Sequence, residues 1–492
     1  MLNRHALKRT ITKLNWALWL LLLVTLPVTS FPFFPSGIVG NAQVRPLSLY
    51  PLFLLCFTLV LPSIRSGKKM PGHFIPILLF LVYVIVYSLI IYLQPVPDLR
   101  NTSQVVRSLR SVLTLIIGLL YYSVTILIHR SKPRLKSTLR WLLLPISLMF
   151  LWSIFEISMV FTNTPRYESL NEIHRWISVR DLPRGRISGF AFEPSWFADQ
   201  LVILWFPAAL GFTAGNLDLP FRYSRFIGLC LCLCTVIMLA LTLSRGGYAS
   251  FLLSIVVLAL MYLHLNRKLI SRRIDVWKDE ASTQQVRFLL FLAPILGLII
   301  FVSIVFVRFL QQNAYFALLW ERAGILIQTR SITRYLASIG GDVRIAQMIA
   351  SWRTFLNHPF LGVGLGQGGF YYLDEIPSWL AERSTLTARL LVPHVIEFPN
   401  SKSLWFRLLA ETGLLGFSLF LSFLLKHVST AVQGMRSVDA VSRSIGYVGI
   451  TSLSALILEG FSLDTFALPY MWIVFGLVST VSKDLLTDSE EA

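Results

Sequence analysis

The chain has 492 residues, of which 55% are hydrophobic, 13% aromatic and only 14% charged. A soluble domain carries about 25% charged residues, and a mean hydropathy of +0.67 is far above what a water-facing surface permits. These figures exclude a soluble enzyme, a disordered scaffold and a small disulfide-stapled secreted domain, and leave an all-α polytopic membrane protein. The net charge of +19 comes from 44 Lys+Arg against 25 Asp+Glu. On a soluble protein it would suggest nucleic acid; on a membrane protein the question is which side each charge occupies, and we expect no nucleic-acid partner.

A spanning helix needs about 20 mostly apolar residues. Twelve runs qualify, near 14–34, 46–63, 74–94, 109–128, 141–161, 195–214, 226–243, 247–265, 288–310, 403–425, 445–463 and 466–482. The first follows Arg4, Lys8, Arg9 and Lys13 and reads as a retained anchor rather than a cleaved signal. The layout divides into nine spans over 1–310, a long outer loop with amphipathic helices over 311–402, and three spans with a tail over 403–492. Cys230, Cys232 and Cys234 alternate within one run and read as small apolar residues, not as metal ligands or a disulfide framework.

The connectors Ile64–Lys69, His129–Arg140 and Asn266–Lys278 are rich in Lys and Arg. Both termini inside puts all three in the cytoplasm, as the positive-inside rule requires. Ten of the eleven lysines then face the cytoplasm, Lys402 being the exception. The arginines divide differently, about 19 of the 33 falling on or near the outer side. An outer face stocked with Arg suits bidentate recognition of phosphate or carboxylate, although loop arginines are also ordinary surface residues.

Four outer features stand out. Arg186-Ile-Ser-Gly-Phe leads through Glu193 and Pro194 into a span. Pro194 suits the first helical turn, and Arg186 either holds an anion or pairs with Glu193. Ser244-Arg245-Gly246 joins two apolar runs so tightly that Arg245 lies at or near membrane depth, a functional candidate by default. From Arg344, apolar positions Ile345, Met348, Ile349, Trp352 and Leu356 recur at helical spacing before His358-Pro-Phe-Leu-Gly-Val-Gly-Leu-Gly366. That glycine run lacks the preceding strand and the Gly-Lys-Ser/Thr of a nucleotide loop. Finally, Lys402, Arg407 and Glu411 open a span that continues through Gly413 and Gly416. Arg407 and Glu411 stand four apart and can pair, and the two glycines admit a neighbouring helix.

Taken in order, Arg186-x-Ser-Gly-Phe with Pro194-Ser, Ser-Arg245-Gly, Trp352-x(5)-His-Pro-Phe-Leu-Gly-Val-Gly-Leu-Gly and Leu408-Leu-Ala-Glu-Thr-Gly-Leu-Leu-Gly416 resemble the O-antigen ligase/polymerase superfamily of bacterial polysaccharide assembly. The resemblance covers roughly 180–420. It implies an integral-membrane, inverting glycosyltransferase-like fold in the bacterial cytoplasmic membrane, with the site facing outward and no metal or cofactor. The donor would be a polyprenyl-diphosphate-linked glycan. The acceptor would be another lipid-linked glycan, as in a polymerase, or lipid A core, as in a ligase, with other polysaccharide-assembly proteins as possible partners. Family arginines that grip the diphosphate match Arg186 and Arg245, and Arg344 joins them as a third candidate; Glu193, Arg407 and Glu411 would support the site.

One departure from the family pattern matters. Many members carry a His-Asn pair before the Leu…Glu-x-Gly helix, and that His is the proposed base. Registered on Glu411 and Gly413, those positions fall on Lys402 and Ser403. A lysine binds phosphate directly, or acts as a base where burial and neighbouring cations favour its neutral form. His394 is the alternative base, and His358 reads as part of a structural turn. Competing readings are a non-enzymatic flippase or exporter of lipid-linked glycans, a peptidoglycan-type polymerase, and a solute transporter. A transporter would show broken helices and polar residues at mid-membrane; no helix break is evident, and Asp199 and Glu459 are the only acids that qualify, Glu156 lying nearer an outer end.

Overall fold

The computed structural model describes residues 2–34, 43–94, 96–160, 166–217, 223–279, 341–383, 385–392 and 398–482, together with Glu321, Gly324 and Gln328. The expected span at 288–310, most of the loop before 341, His394 and the acidic tail after 482 lie outside the described residues.

The described chain is helical. Eight helices are long and apolar enough to cross a membrane: Phe74–Ile91, Gln104–Ile128, Lys132–Ser158, Pro194–Ala214, Ser224–Thr242, Arg245–Leu265, Leu404–Met435 and Ala440–Glu459. Leu2–Thr25 and the shorter apolar helices Leu49–Arg65 and Pro469–Ser479 fall on three more of the expected runs. The chain is an integral membrane protein of many helices. Its centre is made by Pro194–Ala214 and Ala440–Glu459, of which 83% and 78% is buried, whereas Arg245–Leu265 is only 11% buried and borders the outside of the bundle. Trp19, Trp205 and Trp472 fill the interior. The first and last find partners for their indole N–H in Thr138 Oγ1 and the Phe466 carbonyl, at 2.9 and 2.8 Å.

The two ends of the bundle differ in chemistry. At one end Lys132 meets Asp439 at 3.7 Å, Lys426 donates to the Gly72 carbonyl and Arg130 to that of Lys69. Asp439 caps the Ala440–Glu459 helix by accepting the Ser442 N–H at 2.9 Å. At the other end Arg186, Arg344 and Arg407 bind backbone carbonyls of Thr242, Ser462 and Asp464. The contacts of Lys132, Lys426 and Arg130 and those of Arg186, Arg344 and Arg407 thus mark two different ends of the bundle.

Two expectations need correction. The Leu404–Met435 helix is broken at Gly413, whose φ of 59° and ψ of −167° leave the helical region. The Pro359–Gly364 strip fills the gap. Val363 and Gly364 donate to the carbonyls of Ala410 and Glu411 at 3.0 and 2.9 Å, and Leu414 and Leu415 donate to those of Pro359 and Phe360 at 2.8 and 3.2 Å. Irregular backbone at this depth needs partners within the protein, and the strip supplies them. The second correction concerns the Gly341–Asn357 helix, which does not bury its whole apolar stripe. Ala346, Gln347, Ala350, Ser351 and Thr354 face the protein, while Trp352 and Leu356 are exposed. Small residues allow close approach to Ala410 in the neighbouring helix.

Candidate functional site

The site grows from the arginine-rich end. Glu156, fully buried in the Lys132–Ser158 span, accepts the N–H groups of Ser188 and Gly189 at 2.6 and 3.0 Å and the Ser188 hydroxyl at 3.1 Å. This carboxyl shapes the Arg-Ile-Ser-Gly turn, where Gly189 takes a φ of 57°. The turn lies on the end of the Ser224–Thr242 helix: Ile187 donates to the Leu241 carbonyl at 3.2 Å and Arg186 Nε to that of Thr242 at 2.7 Å. Arg186 is therefore held on the carbonyl of a residue that precedes Arg245 by three. Leu243, at a φ of 50°, ends that helix, and Arg245 opens the next with its side chain exposed.

Glu193 pairs with Arg180 at 2.8 Å and accepts from the Ser195 hydroxyl, so the alternative in which it pairs with Arg186 is not the one observed. Pro194 does occupy the first helical turn.

A second set of contacts converges on the turn after Glu459. Arg344 donates to the Ser462 carbonyl at 3.3 Å. Leu404 N–H and the Ser403 hydroxyl donate to the Gly460 carbonyl at 2.7 and 3.0 Å, so Lys402 lies immediately beside this turn. A Cβ on Gly246 would stand 3.6 Å from Ser462 Oγ. Lys402 is half-buried and has a φ of 52°, a conformation uncommon for a lysine. Beneath the turn Glu459 accepts from Ser462 Oγ at 2.9 Å, and the buried Asp199 is its electrostatic neighbour. The two acids singled out as mid-membrane candidates thus form a pair at this end.

On the far side of Lys402 lies a cavity of about 180 Å³. The Gln104–Ile128 helix contributes Arg107 and Arg110, the Leu404–Met435 helix Arg407 and Glu411, and the 399–401 and 464–466 segments close it. Arg407 Nε binds Glu411 Oε2 at 2.9 Å, as their spacing predicts, and its remaining donors reach Ser111 Oγ and the Asp464 carbonyl. Glu411 Oε2 also accepts the Gly366 N–H at 2.8 Å. Gly362, Gly364 and Gly366 all have positive φ, from 73° to 95°. The Gly-x-Gly-x-Gly run is accordingly a backbone device that carries an amide to Glu411.

With the motifs joined in this way, residues 230–421 match the family model for O-antigen ligase. Over that stretch the chain is similar to the O-antigen ligase family, in line with the resemblance of its motifs. No curated protein matches the chain. The family segment is less than half of the sequence and holds Arg245, Arg344, Lys402, Arg407 and Glu411; Arg186 and Glu193 precede it. Within this O-antigen ligase segment the glycine run and the Glu411 helix are bonded to each other, which accounts for the joint presence of the two motifs.

Sequence reasoning missed Arg107, Arg110, Asp464 and the role of Glu156. The arginines stand in the first turns of an apolar span, with no local pattern to mark them. Glu156 carried a signal, an acid within a span, but its partners are more than 30 residues away.

Proposed function

We propose that the protein transfers or polymerises glycans from a polyprenyl-diphosphate-linked donor at the outer face of a bacterial cytoplasmic membrane. One observation carries the reading: Arg186, Arg245, Arg344 and Lys402, from four separated segments, gather around the end of the Ser224–Thr242 helix and the Gly460–Ser462 turn. The match to the O-antigen ligase family supports it.

The chemistry follows from the charges. The acceptor hydroxyl attacks the anomeric carbon, a new C–O bond forms, and the bond to the diphosphate breaks with its electron pair left on the lipid diphosphate. The anomeric configuration inverts in this single displacement. Negative charge grows on the leaving group, and guanidinium groups fixed in a partly dehydrated site stabilise it more than water does. We assign that role to Arg186, Arg245 and Arg344. We assign removal of the acceptor proton to Lys402, which stands in the register of the family's motif histidine. The donor is already activated, so no further energy source enters. Addition to another lipid-linked glycan yields polymer, and addition to lipid A core yields ligation.

The test is Arg245→Ala and Lys402→Ala, each assayed in membranes with normal protein level on a lipid-linked donor. Both should abolish chain extension or transfer; full activity in both would overturn the assignment. A purified protein in liposomes that moves labelled lipid-linked glycan between leaflets without lengthening it would instead favour a flippase.

A further inference from the structure

We infer that the cavity beside Lys402 is a separate subsite for the glycan, and that it selects a sugar bearing one negative charge, a hexuronate or its equivalent. The inference rests on the transfer reading above but concerns different residues.

Two residues that line the cavity each carry a buried atom with unmet hydrogen-bonding capacity. Arg107 lies with its guanidinium 4.5 Å over the Phe398 ring, and its buried Nε has no partner among the described residues. Buried Asn400 Oδ1 likewise has none. The first is a charged donor and the second an acceptor. Buried polar groups ordinarily find partners, so an orphan donor and an orphan acceptor in the wall of one cavity suit a ligand with both kinds of group. A sugar with hydroxyls and an acidic substituent is such a ligand.

Charge decides between this occupant and the lipid diphosphate. Three guanidinium groups, on Arg107, Arg110 and Arg407, face the carboxylates of Glu411 and Asp464, leaving one positive charge. Arg407 is already committed to Glu411, Ser111 and the Asp464 carbonyl. The charge left over matches one carboxylate and falls short of a diphosphate. The Asp464 carboxylate suits sugar hydroxyl donors but would repel phosphate oxygens. Phe466 adds an apolar surface for the C–H face of a sugar ring. The diphosphate is assigned instead to the arginines around Gly460–Ser462.

The experiment uses the full-length protein in lipid nanodiscs and three probes: a disaccharide containing one hexuronate, its neutral hexose counterpart, and inorganic pyrophosphate. Calorimetric titration should find the acidic disaccharide about ten-fold tighter than the neutral one, the discrimination expected of a charge-assisted hydrogen bond. Arg107→Gln should bring the two within about two-fold, and Arg110→Gln, at the more exposed position, should narrow the gap without risk to the fold. Pyrophosphate should bind in dependence on Arg245 and leave the acidic disaccharide in place. Equal affinity for the two disaccharides, no binding of the acidic one, or an unchanged preference in both arginine variants would overturn the inference. Displacement of the acidic sugar by pyrophosphate in an Arg107-dependent manner would make the cavity a diphosphate site and overturn it as well. Because the readout is binding, it stands whether or not Lys402→Ala and Arg245→Ala abolish transfer.

Discussion

The Glu411 carboxylate accepts the backbone N–H of Gly366 at 2.8 Å across 45 residues of chain, and two residues beyond Glu411 the helix breaks at Gly413. The contact and the break belong to one construction. The strip from Pro359 to Gly364 lies in the gap, and Tyr83 and Tyr87 hold it from the other side through the carbonyls of Leu361 and Gly362, at 2.7 and 2.8 Å.

That construction makes Gly413 and Gly362 irreplaceable. A Cβ at Gly413 would stand 2.4 Å from the Phe360 carbonyl, and one at Gly362 would stand 2.5 Å from the backbone of Glu411 and Thr412. Left-handed backbone costs a substituted residue about 1–2 kcal/mol, and backbone cannot yield as a flexible side chain can. Gly413→Ala and Gly362→Ala should each lower the melting temperature of the detergent-solubilised protein by more than the conformational cost alone. Gly67, also left-handed, has no atom within 4 Å of its Cβ position. Gly67→Ala should therefore show only the conformational cost, and equal losses at all three sites would refute the interlocked arrangement.

Arg407 and Glu411 are 13% and 5% exposed, so the pair is shielded from water. Removing one partner of a buried pair leaves an uncompensated charge, at a cost of about 3–5 kcal/mol. Glu411→Ala also strands the Gly366 amide. We expect Glu411→Ala to destabilise strongly, and Arg407→Met with Glu411→Leu together to destabilise less than the sum of the two single changes. Chemical or thermal unfolding of the four proteins in one detergent checks this; strict additivity would mean that the pair is not coupled.

The contrast between these elements explains what the sequence could disclose. Spans are visible because about 20 apolar residues must follow one another. The Arg407–Glu411 pair is local, so its spacing reveals it. The break at Gly413 is not local: Glu-Thr-Gly-Leu-Leu-Gly within an apolar run also reads as a helix with small packing residues, and only the distant glycine strip makes it a gap. Arg107 and Arg110 join Arg407 from almost 300 residues away.

In the segment between the Lys132–Ser158 and Pro194–Ala214 helices, His174 is buried against Trp152, with ring centroids 6.1 Å apart, and its Nδ1 has no partner among the described residues. Burial lowers its pKa to about 4, opposed by the Asp181 carboxylate. The folded segment thus binds fewer protons than the unfolded one between about pH 4 and the ordinary histidine value near 6.5. Its stability is complete above that value and declines as the pH falls through the window, by up to about 3 kcal/mol. Protection factors of residues 166–190, with the intrinsic pH dependence of amide exchange divided out, should fall between pH 7 and pH 4.5, and His174→Gln should remove the fall. The same protection factors at both pH values in the unsubstituted protein would show that His174 does not govern this segment.

Lys402 combines a left-handed backbone with the role assigned to its amine, and the two can be separated. Glycine adopts this conformation without penalty, so Lys402→Gly should fold at least as stably as the parent, by up to about 1 kcal/mol, while losing transfer. Lys402→Arg keeps the positive charge but cannot accept a proton, because a guanidinium stays protonated. If the amine removes the acceptor proton, the arginine variant should be as inactive as the glycine variant although it still binds pyrophosphate. If the charge alone matters, Lys402→Arg should retain most of the activity, and the base would have to be sought elsewhere. Melting temperature, pyrophosphate affinity and transfer rate for the three proteins decide between these outcomes, since a purely structural role would move the first quantity along with the last.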